Sequence, residues 1–237
     1  MTLFLQAYLG HLLGDFVLQP GGLVRAKRNG IIGMAAHITI VTVCTALVMV
    51  GSISELWPAV LMVGVAHLGI EHLTIHARRA HSTSGLMLFL LDQVLHMISI
   101  ALISSLFRHD LTSAVFIWQM SPSRIAGICG IVAVAFLGSI LTFEVRMAVM
   151  ADDERADPIL KLDAARIYGM AERGIALTAA LLHPAPVIGI VAFAPRLLFA
   201  SRQGPEDRAR NALDGATGLL LCMAVWLAIA LFVRYGR

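Results

Sequence analysis

Residues 86–107 read LMLFLLDQVLHMISIALISSLF, and the only acidic or basic side chains in this stretch are those of Asp92 and His96. At 1.5 Å per residue, a helix of this length crosses a hydrocarbon layer about 30 Å thick. Water does not reach the backbone inside lipid, so a stretch of this kind is expected to be helical. The whole chain shares the bias, with 58% hydrophobic and 14% charged residues among 237. The sequence therefore predicts an all-α integral membrane protein.

Similar apolar runs recur along the chain between short polar connections. The predicted membrane segments are Leu3–Leu18, Ile31–Val50, Leu56–His76, Leu86–Phe107, Ile125–Val149, Ala164–Leu182, Pro186–Ala200 and Leu213–Val233. The sixth contains Arg166, Glu172 and Arg173 and is expected to lie partly at the interface or to be buried among other helices. Glu172 and Arg173 are expected to form an internal ion pair, and Pro195 interrupts the seventh. The predicted fold is thus a polytopic transmembrane bundle of about 7–8 membrane helices. Residues 1–107 form a predicted four-helix unit, 108–122 a connection and 123–237 a second helical half.

Basic residues gather in alternate connections of this bundle. Arg25, Lys27 and Arg28 lie in a predicted loop after the first segment, and Arg78 and Arg79 follow the third, whereas the connection between the second and third has none. By the positive-inside rule, the basic connections face the cytoplasm. This placement accounts for much of the net charge of +3. No long basic patch indicates nucleic-acid binding, so membrane lipids are the expected partners.

Several common kinds of site are missing from the sequence. Cys44, Cys129 and Cys222 each lie within an apolar run and are expected to act as small apolar side chains. Their spacing indicates neither a disulfide framework nor a cysteine metal site. There is no P-loop, no Rossmann glycine fingerprint and no Gly-x-Ser-x-Gly motif, so no nucleotide cofactor is predicted.

Polar residues interrupt the four N-terminal segments at helical spacing. They are His11 and Asp15 in the first segment, His37 in the second, His67 and Glu71 in the third, and Asp92 and His96 in the fourth. The members of each pair are four residues apart and so share a helix face. Counted from the predicted cytoplasmic ends, all seven lie between about 5 and 15 Å deep. Four antiparallel helices would therefore bring them to a common level.

Three interpretations of this polar cluster stay open. The first is a divalent-metal site for zinc, manganese or iron, because imidazoles and carboxylates from facing helices ligate such ions and can activate water for hydrolysis. All seven residues are then candidate ligands, and Asp15, Glu71 and Asp92 are also candidate catalytic acids or bases. The second is a proton or ion pathway. The third is a hydrogen-bonded network that joins the helices.

The order of these motifs resembles the bacterial membrane protein family called domain of unknown function 3307. The resemblance rests on His11-Leu-Leu-Gly-Asp15-Phe-Val-Leu-Gln19, His37, His67-Leu-Gly-Ile-Glu71, Asp92-Gln93-Val-Leu-His96 and, more weakly, Gly169-Met-Ala-Glu172-Arg173. The family usually has an aspartate, followed three residues later by a lysine, where this chain has Glu71 and Thr74. The resemblance implies a multi-pass protein of the bacterial inner membrane.

The leading hypothesis is an inner-membrane protein with a cytoplasm-facing divalent-metal site that hydrolyses a lipid-like substrate. The layout is loosely similar to bacterial membrane-bound metal-dependent hydrolases, which use intramembrane histidines and aspartates. The alternative is a non-enzymatic scaffold, complex subunit or transporter whose polar cluster is structural or carries protons. The sequence alone does not choose between an enzyme and a non-enzymatic protein.

Overall fold

The computed structural model describes residues 1–80, 85–107, 120–150, 162–183, 185–200 and 204–235. Every regular element in these ranges is a helix, which confirms the predicted all-α class. The chain divides into two compact units, Met1–Ile125 and Ala126–Arg237. Most of the predicted connection 108–122 lies outside the described residues.

The first unit is built around a ring of helices. In chain order its helices are α1 (Thr2–Leu12), α2 (Gly21–Asn29), α3 (Ile31–Val48), α4 (Ile53–Ala80) and α5 (Gly85–Leu106). A π-helical turn prolongs α1. Both α1 and α4 pack against α3 and α5, so these four helices close into a ring, while α2 packs on α3.

Apolar and polar side chains occupy opposite halves of this ring. The apolar half is filled by Leu3, Ala7, Met49, Leu56, Ala59, Val60, Val63, Ile100 and Ile103. These residues belong to the beginnings of α1 and α4 and to the region at the ends of α3 and α5. The polar residues of the four segments come from the other ends of the same helices. Because neighbouring helices run antiparallel, the polar ends meet in one place, next to α2.

Two glycines allow α1 to approach α3 closely. A Cβ atom added to Gly10 would lie 2.5 Å from Thr45 Cα, and one added to Gly14 would lie 2.6 Å from Val41 Cα. Small residues four apart on one face are a common way for membrane helices to bring their backbones together. The close contact fixes the position of α1, and with it the side chains between and after the two glycines.

The basic residues after α1 lie on a helix and not in the predicted loop. Arg25, Lys27 and Arg28 belong to α2, which begins after Pro20 and ends before Gly30. The loop prediction was wrong because it weighed only the charges of this segment. A proline just before a helix and a glycine just after it are ordinary boundary signals.

The boundary between the two units lies within α6 (Pro122–Val132), after Ile125. The second unit then contains a π-helical turn (Ala133–Leu137), α7 (Gly138–Met150), α8 (Ala164–Leu182), a 3-10 helix (Pro186–Phe193), α9 (Ala194–Ala200) and α10 (Pro205–Tyr235). Its apolar core includes Val134, Ala176, Leu177, Phe193 and Cys222.

Buried charges join the helices of this second unit. Arg196 Nη2 donates to Glu172 Oε2 at 2.7 Å, and Arg196 Nε donates to the same oxygen at 2.9 Å. Arg173 Nε donates instead to the carbonyl oxygen of Val134 at 2.7 Å, in the π-helical turn. The prediction of a Glu172–Arg173 pair was therefore wrong about the partner. A residue on a different helix is better placed to face Glu172 than its own neighbour in sequence.

Five helices in the described residues are long and apolar enough to cross a membrane. They are Ile31–Val48, Ile53–Arg78, Gly85–Leu106, Pro122–Met150 and Pro205–Tyr235. The predicted count of seven or eight is not confirmed. The first predicted segment is too short, because its helix and π-helical turn end at Val17. The sixth, α8, carries Arg166, Glu172 and Arg173, and the seventh is divided between a 3-10 helix and α9.

The outer surface of the first unit is apolar although its interior holds charges. Ile32, Val65 and Leu102 are each more than 60% exposed on α3, α4 and α5, whereas Asp15 and Glu71 are buried. A water-soluble bundle has the opposite distribution. Together with the five apolar helices, this pattern is that of a membrane protein.

Candidate metal centre

The polar cluster begins where the α-helical geometry of α1 gives way to a π-helical turn. His11 is the penultimate residue of α1, and Asp15 lies in the π-helical turn Leu13–Val17 that follows. Such turns are rare and occur often at functional sites. The carboxylate stays within reach of the imidazole one turn earlier, with Asp15 Oδ2 at 3.9 Å from His11 Nε2.

Three histidines from different helices form the first group, which we call the three-histidine set: His11 of α1, His67 of α4 and His96 of α5. Each offers a ring nitrogen, and these atoms all lie within 4.8 Å of one another. The ring centroids of His67 and His96 are 4.4 Å apart, and those of His11 and His96 are 4.6 Å apart. All three side chains are almost completely buried. The donor atoms are therefore close enough together to share one ion.

Several nitrogen atoms of the three-histidine set have no hydrogen-bond partner in the described part of the chain. They are both ring nitrogens of His11, Nδ1 of His67 and Nε2 of His96. His96 Nδ1 lies 2.9 Å from the carbonyl oxygen of Asp92, which can only accept, so Nδ1 carries a proton. In the neutral imidazole, this leaves a lone pair on the buried Nε2 atom. A histidine that ligates a metal is usually held in this way by its other ring nitrogen.

A second group, which we call the carboxylate set, consists of Asp15, His37, His67 and Glu71. One ligand atom from each lies within 4.8 Å of the others, and all four residues are buried. His37 Nε2 is 3.4 Å from Asp15 Oδ1 and 3.4 Å from Glu71 Oε1. It is also 2.9 Å from His67 Nε2. His67 thus belongs to both sets and joins them into one cluster.

Two residues that were not among the predicted site residues form hydrogen bonds with the carboxylate set. Lys27 Nζ donates to Glu71 Oε1 at 2.5 Å and lies 3.8 Å from Asp15 Oδ1. Gln19 Nε2 donates to Asp15 Oδ1 at 3.1 Å and is 2.8 Å from His37 Nδ1. Gln19 could have been chosen from its spacing of four residues after Asp15. Lys27 could have been chosen only by recognising α2 as a helix that packs on α3.

Asp92 belongs to neither set. Its carboxylate is 3.5 Å from His96 Nδ1, and its side chain is 17% exposed. Gln93 donates to the Asp92 carboxylate at 2.9 Å. The structure thus brings together six of the seven predicted site residues and leaves Asp92 beside them, as a partner of His96. The catalytic or ligating role of each residue stays a prediction.

The donor chemistry of the cluster suits a divalent transition metal. Neutral imidazole and carboxylate oxygen are the side-chain groups that zinc, manganese and iron accept. Buried polar atoms without partners are costly, so their accumulation at one point needs an explanation. An ion bound by the three-histidine set would supply the missing partner for several of them. Buried His, Asp and Glu groups that can hold a metal ion are accordingly present.

Comparison with known proteins identifies the first unit. The family model described as "Protein of unknown function (DUF3307)" matches residues 3–122, which include α1 to α5 and the whole polar cluster. No curated protein and no solved structure matches the chain. Because the family model covers half of the sequence, the chain belongs to the DUF3307 family.

Proposed function

We propose that this protein is a membrane-bound, metal-dependent hydrolase with its metal centre inside the first unit. His11, His67 and His96 would hold one divalent ion, and the substrate would be lipid-like. The proposed location is the bacterial inner membrane, with the polar cluster near the cytoplasmic surface. The alternative is a non-enzymatic membrane protein whose polar cluster conducts protons or joins helices.

The observation that carries this proposal is the state of the imidazole nitrogens. His96 Nε2 is buried and has no hydrogen-bond partner among the described residues, and because Nδ1 donates to the backbone carbonyl of Asp92, Nε2 keeps a lone pair in the neutral imidazole. A network that served only to join helices would pair its buried nitrogen atoms. Three histidine ligands also leave a coordination position open, as in catalytic zinc sites.

The carboxylates nearby suit acid–base work. A divalent ion bound here would make a water molecule more acidic and would polarise a carbonyl or phosphoryl group of the substrate. Asp15 lies 3.9 Å from His11 and is held by Gln19, so its carboxylate is positioned to take a proton from water. Burial of the cluster excludes bulk water, which strengthens each of these interactions.

The basic residues at the same end of the first unit support the cytoplasmic side. Arg25 is exposed on α2, and Arg78 is exposed on α4 about two turns after Glu71. Basic residues that flank membrane helices favour the cytoplasm. A lipid headgroup in the inner leaflet would then be adjacent to the cluster.

Metal content tests the centre directly. Tag-free protein, purified in mild detergent, is analysed for zinc, manganese and iron, and we expect one ion per chain in the wild type. We expect His96→Ala to lose it, because one of three ligands is removed. His72→Ala is the matched control, since His72 is exposed on α4 and should leave the metal in place. A folded, metal-free wild type would overturn the proposal.

Hydrolysis is tested with the metal-loaded protein in vesicles of defined phospholipids. We expect a time-dependent release of water-soluble headgroup or phosphate in the wild type and its loss in Asp15→Asn. If Asp15→Asn binds metal but is inactive, Asp15 acts in the reaction. If the metal-loaded wild type releases nothing from any lipid class, the proposed hydrolase activity is overturned. The proposed metal centre is not affected by that result.

One observation favours the proton-pathway alternative. The imidazoles form a continuous series in which the ring centroids of His67 and His37 are 5.0 Å apart and their Nε2 atoms 2.9 Å apart. Chains of histidines and acids serve as proton relays in membranes. Proton flux into proteoliposomes, lost in His37→Ala and insensitive to chelators, would support a relay and not a metal enzyme.

A further inference from the structure

An ammonium group lies inside the carboxylate set. Lys27 Nζ is 2.5 Å from Glu71 Oε1, 3.8 Å from Asp15 Oδ1 and 3.5 Å from His37 Nε2. Its side chain is only 9% exposed. Two carboxylates and one imidazole that converge on a cation are the surroundings a divalent metal would have. The lysine therefore occupies a position that these three residues shape for a positive charge.

The helix that carries Lys27 is firmly placed. Val24, one turn before Lys27, is completely buried, and a Cβ atom added to Gly33 of α3 would overlap the backbone of Ala26. The absence of a side chain at Gly33 lets α2 pack directly on α3. The ammonium is thus directed into the cluster by the packing of α2, whereas an ordinary surface lysine extends into water.

We propose that Asp15, His37 and Glu71 form a second cation subsite and that Lys27 occupies it in place of a second divalent ion. This inference rests on the proposed function, in which the three-histidine set binds the first ion and uses His67. The lysine would place a single positive charge where the second of the two divalent ions lies in two-metal hydrolases. A divalent ion and an ammonium cannot share the subsite, because like charges at such distances repel strongly where water is excluded.

The subsite also indicates the chemical class of the substrate. A fixed positive charge beside a metal ion stabilises negative charge that is present or develops on the reacting group. A phosphate ester of a lipid has such a group, and its oxygen atoms accept hydrogen bonds from an ammonium. The pair formed by the metal centre and Lys27 therefore favours a phosphate-bearing lipid over an uncharged one.

Zinc stoichiometry tests the second subsite. Tag-free full-length protein in detergent is stripped with a chelator, reloaded with Zn²⁺ and freed of unbound metal, and zinc per chain is measured. We expect one zinc ion in the wild type and two in Lys27→Met, because the variant has no ammonium group and a second zinc ion can then enter the subsite. Lys27→Arg keeps the charge and should bind one. Arg25→Met, an exposed change on the same helix, is the matched control and should also bind one.

The outcomes separate this inference from the proposed function. One zinc ion in both the wild type and Lys27→Met would overturn the second subsite and leave the three-histidine centre intact. No zinc in the wild type and one in Lys27→Met would support the subsite and overturn that centre. Two in the wild type would show that Lys27 does not occupy the subsite. Lys27→Gln repeats the test if Lys27→Met does not fold, and circular dichroism reports the folding of both variants.

Discussion

At the scale of single residues, Lys27 and Glu71 form an ion pair that is almost completely removed from water. Removing one partner leaves the other charge buried, so we expect Glu71→Gln to lower the free energy of unfolding of the metal-free protein by about 3 kcal/mol. The measurement is a reversible unfolding titration in mixed micelles. Glu55→Gln, an exposed change on the same helix, is the control and should stay within about 0.5 kcal/mol of the wild type. Equal effects of the two changes would contradict the burial of the pair.

Asp92 and His96 lie one turn apart but are expected to respond differently to substitution. His96 Nδ1 is held by the backbone carbonyl of Asp92, and this contact survives a change of the Asp92 side chain. We expect Asp92→Asn to keep the metal with an affinity lower by about tenfold, as is usual for a residue that supports a ligand. His96→Ala should abolish stoichiometric binding. Competition with a chromophoric chelator measures both affinities, and complete loss in Asp92→Asn would make Asp92 itself a ligand.

At the scale of secondary structure elements, the contact of α1 with α3 sets the position of His11 and Asp15. A methyl group at Gly10 would clash with the Thr45 backbone, where neither helix can yield easily. We expect Gly10→Ala to destabilise the unit by about 1–3 kcal/mol and to reduce its metal content. Gly69→Ala on α4 is the control, because a Cβ atom there meets nothing within 4 Å. If Gly10→Ala bound metal as the wild type does, the close approach would not determine the site.

The sequence predicted the elements well where one physical effect dominates. Long apolar runs identified α3, α4 and α5, and the four-residue spacing of His67 and Glu71 placed both on an interior face. The short helix α2 was missed because its length is below that of a membrane span and its charges suggested a loop. Its packing on α3, which brings Lys27 to Glu71, depends on contacts between distant residues that no local pattern contains.

Charged segments of the second half exposed a further limit of sequence reasoning. The sixth segment, which became α8, was predicted to lie partly at the interface or to be buried among other helices, because it contains Arg166, Glu172 and Arg173. These charges are satisfied by partners that lie far along the chain, as Glu172 is by Arg196. A hydrophobic segment that contains charges is therefore compatible with a buried helix as well as with a span, and composition alone does not separate the two.

At the scale of the whole molecule, the polar cluster and the family match occupy the same unit. Residues 3–122 carry both groups of possible metal ligands, and the second unit has buried charges that are largely paired with one another or with backbone carbonyls. We expect residues 1–121, produced alone in detergent, to bind the same number of zinc ions as the full chain. Circular dichroism checks that the fragment is helical. A folded fragment without metal would mean that the second unit contributes to the centre.

The two ends of the first unit should lie on opposite sides of the membrane, because α3 and α4 are each long enough to cross it. Arg25 is exposed on α2 at the end that holds the cluster, and Ser54 is exposed at the opposite end of α4. The native cysteines Cys44, Cys129 and Cys222 are buried, so they give little background with a membrane-impermeant maleimide. We expect Arg25→Cys to be labelled in inside-out vesicles and not in intact spheroplasts, and Ser54→Cys to show the reverse, because basic flanks favour the cytoplasm. Labelling of both from the same side would contradict a membrane-spanning ring, and an exchange of the two patterns would place the metal centre at the outer surface.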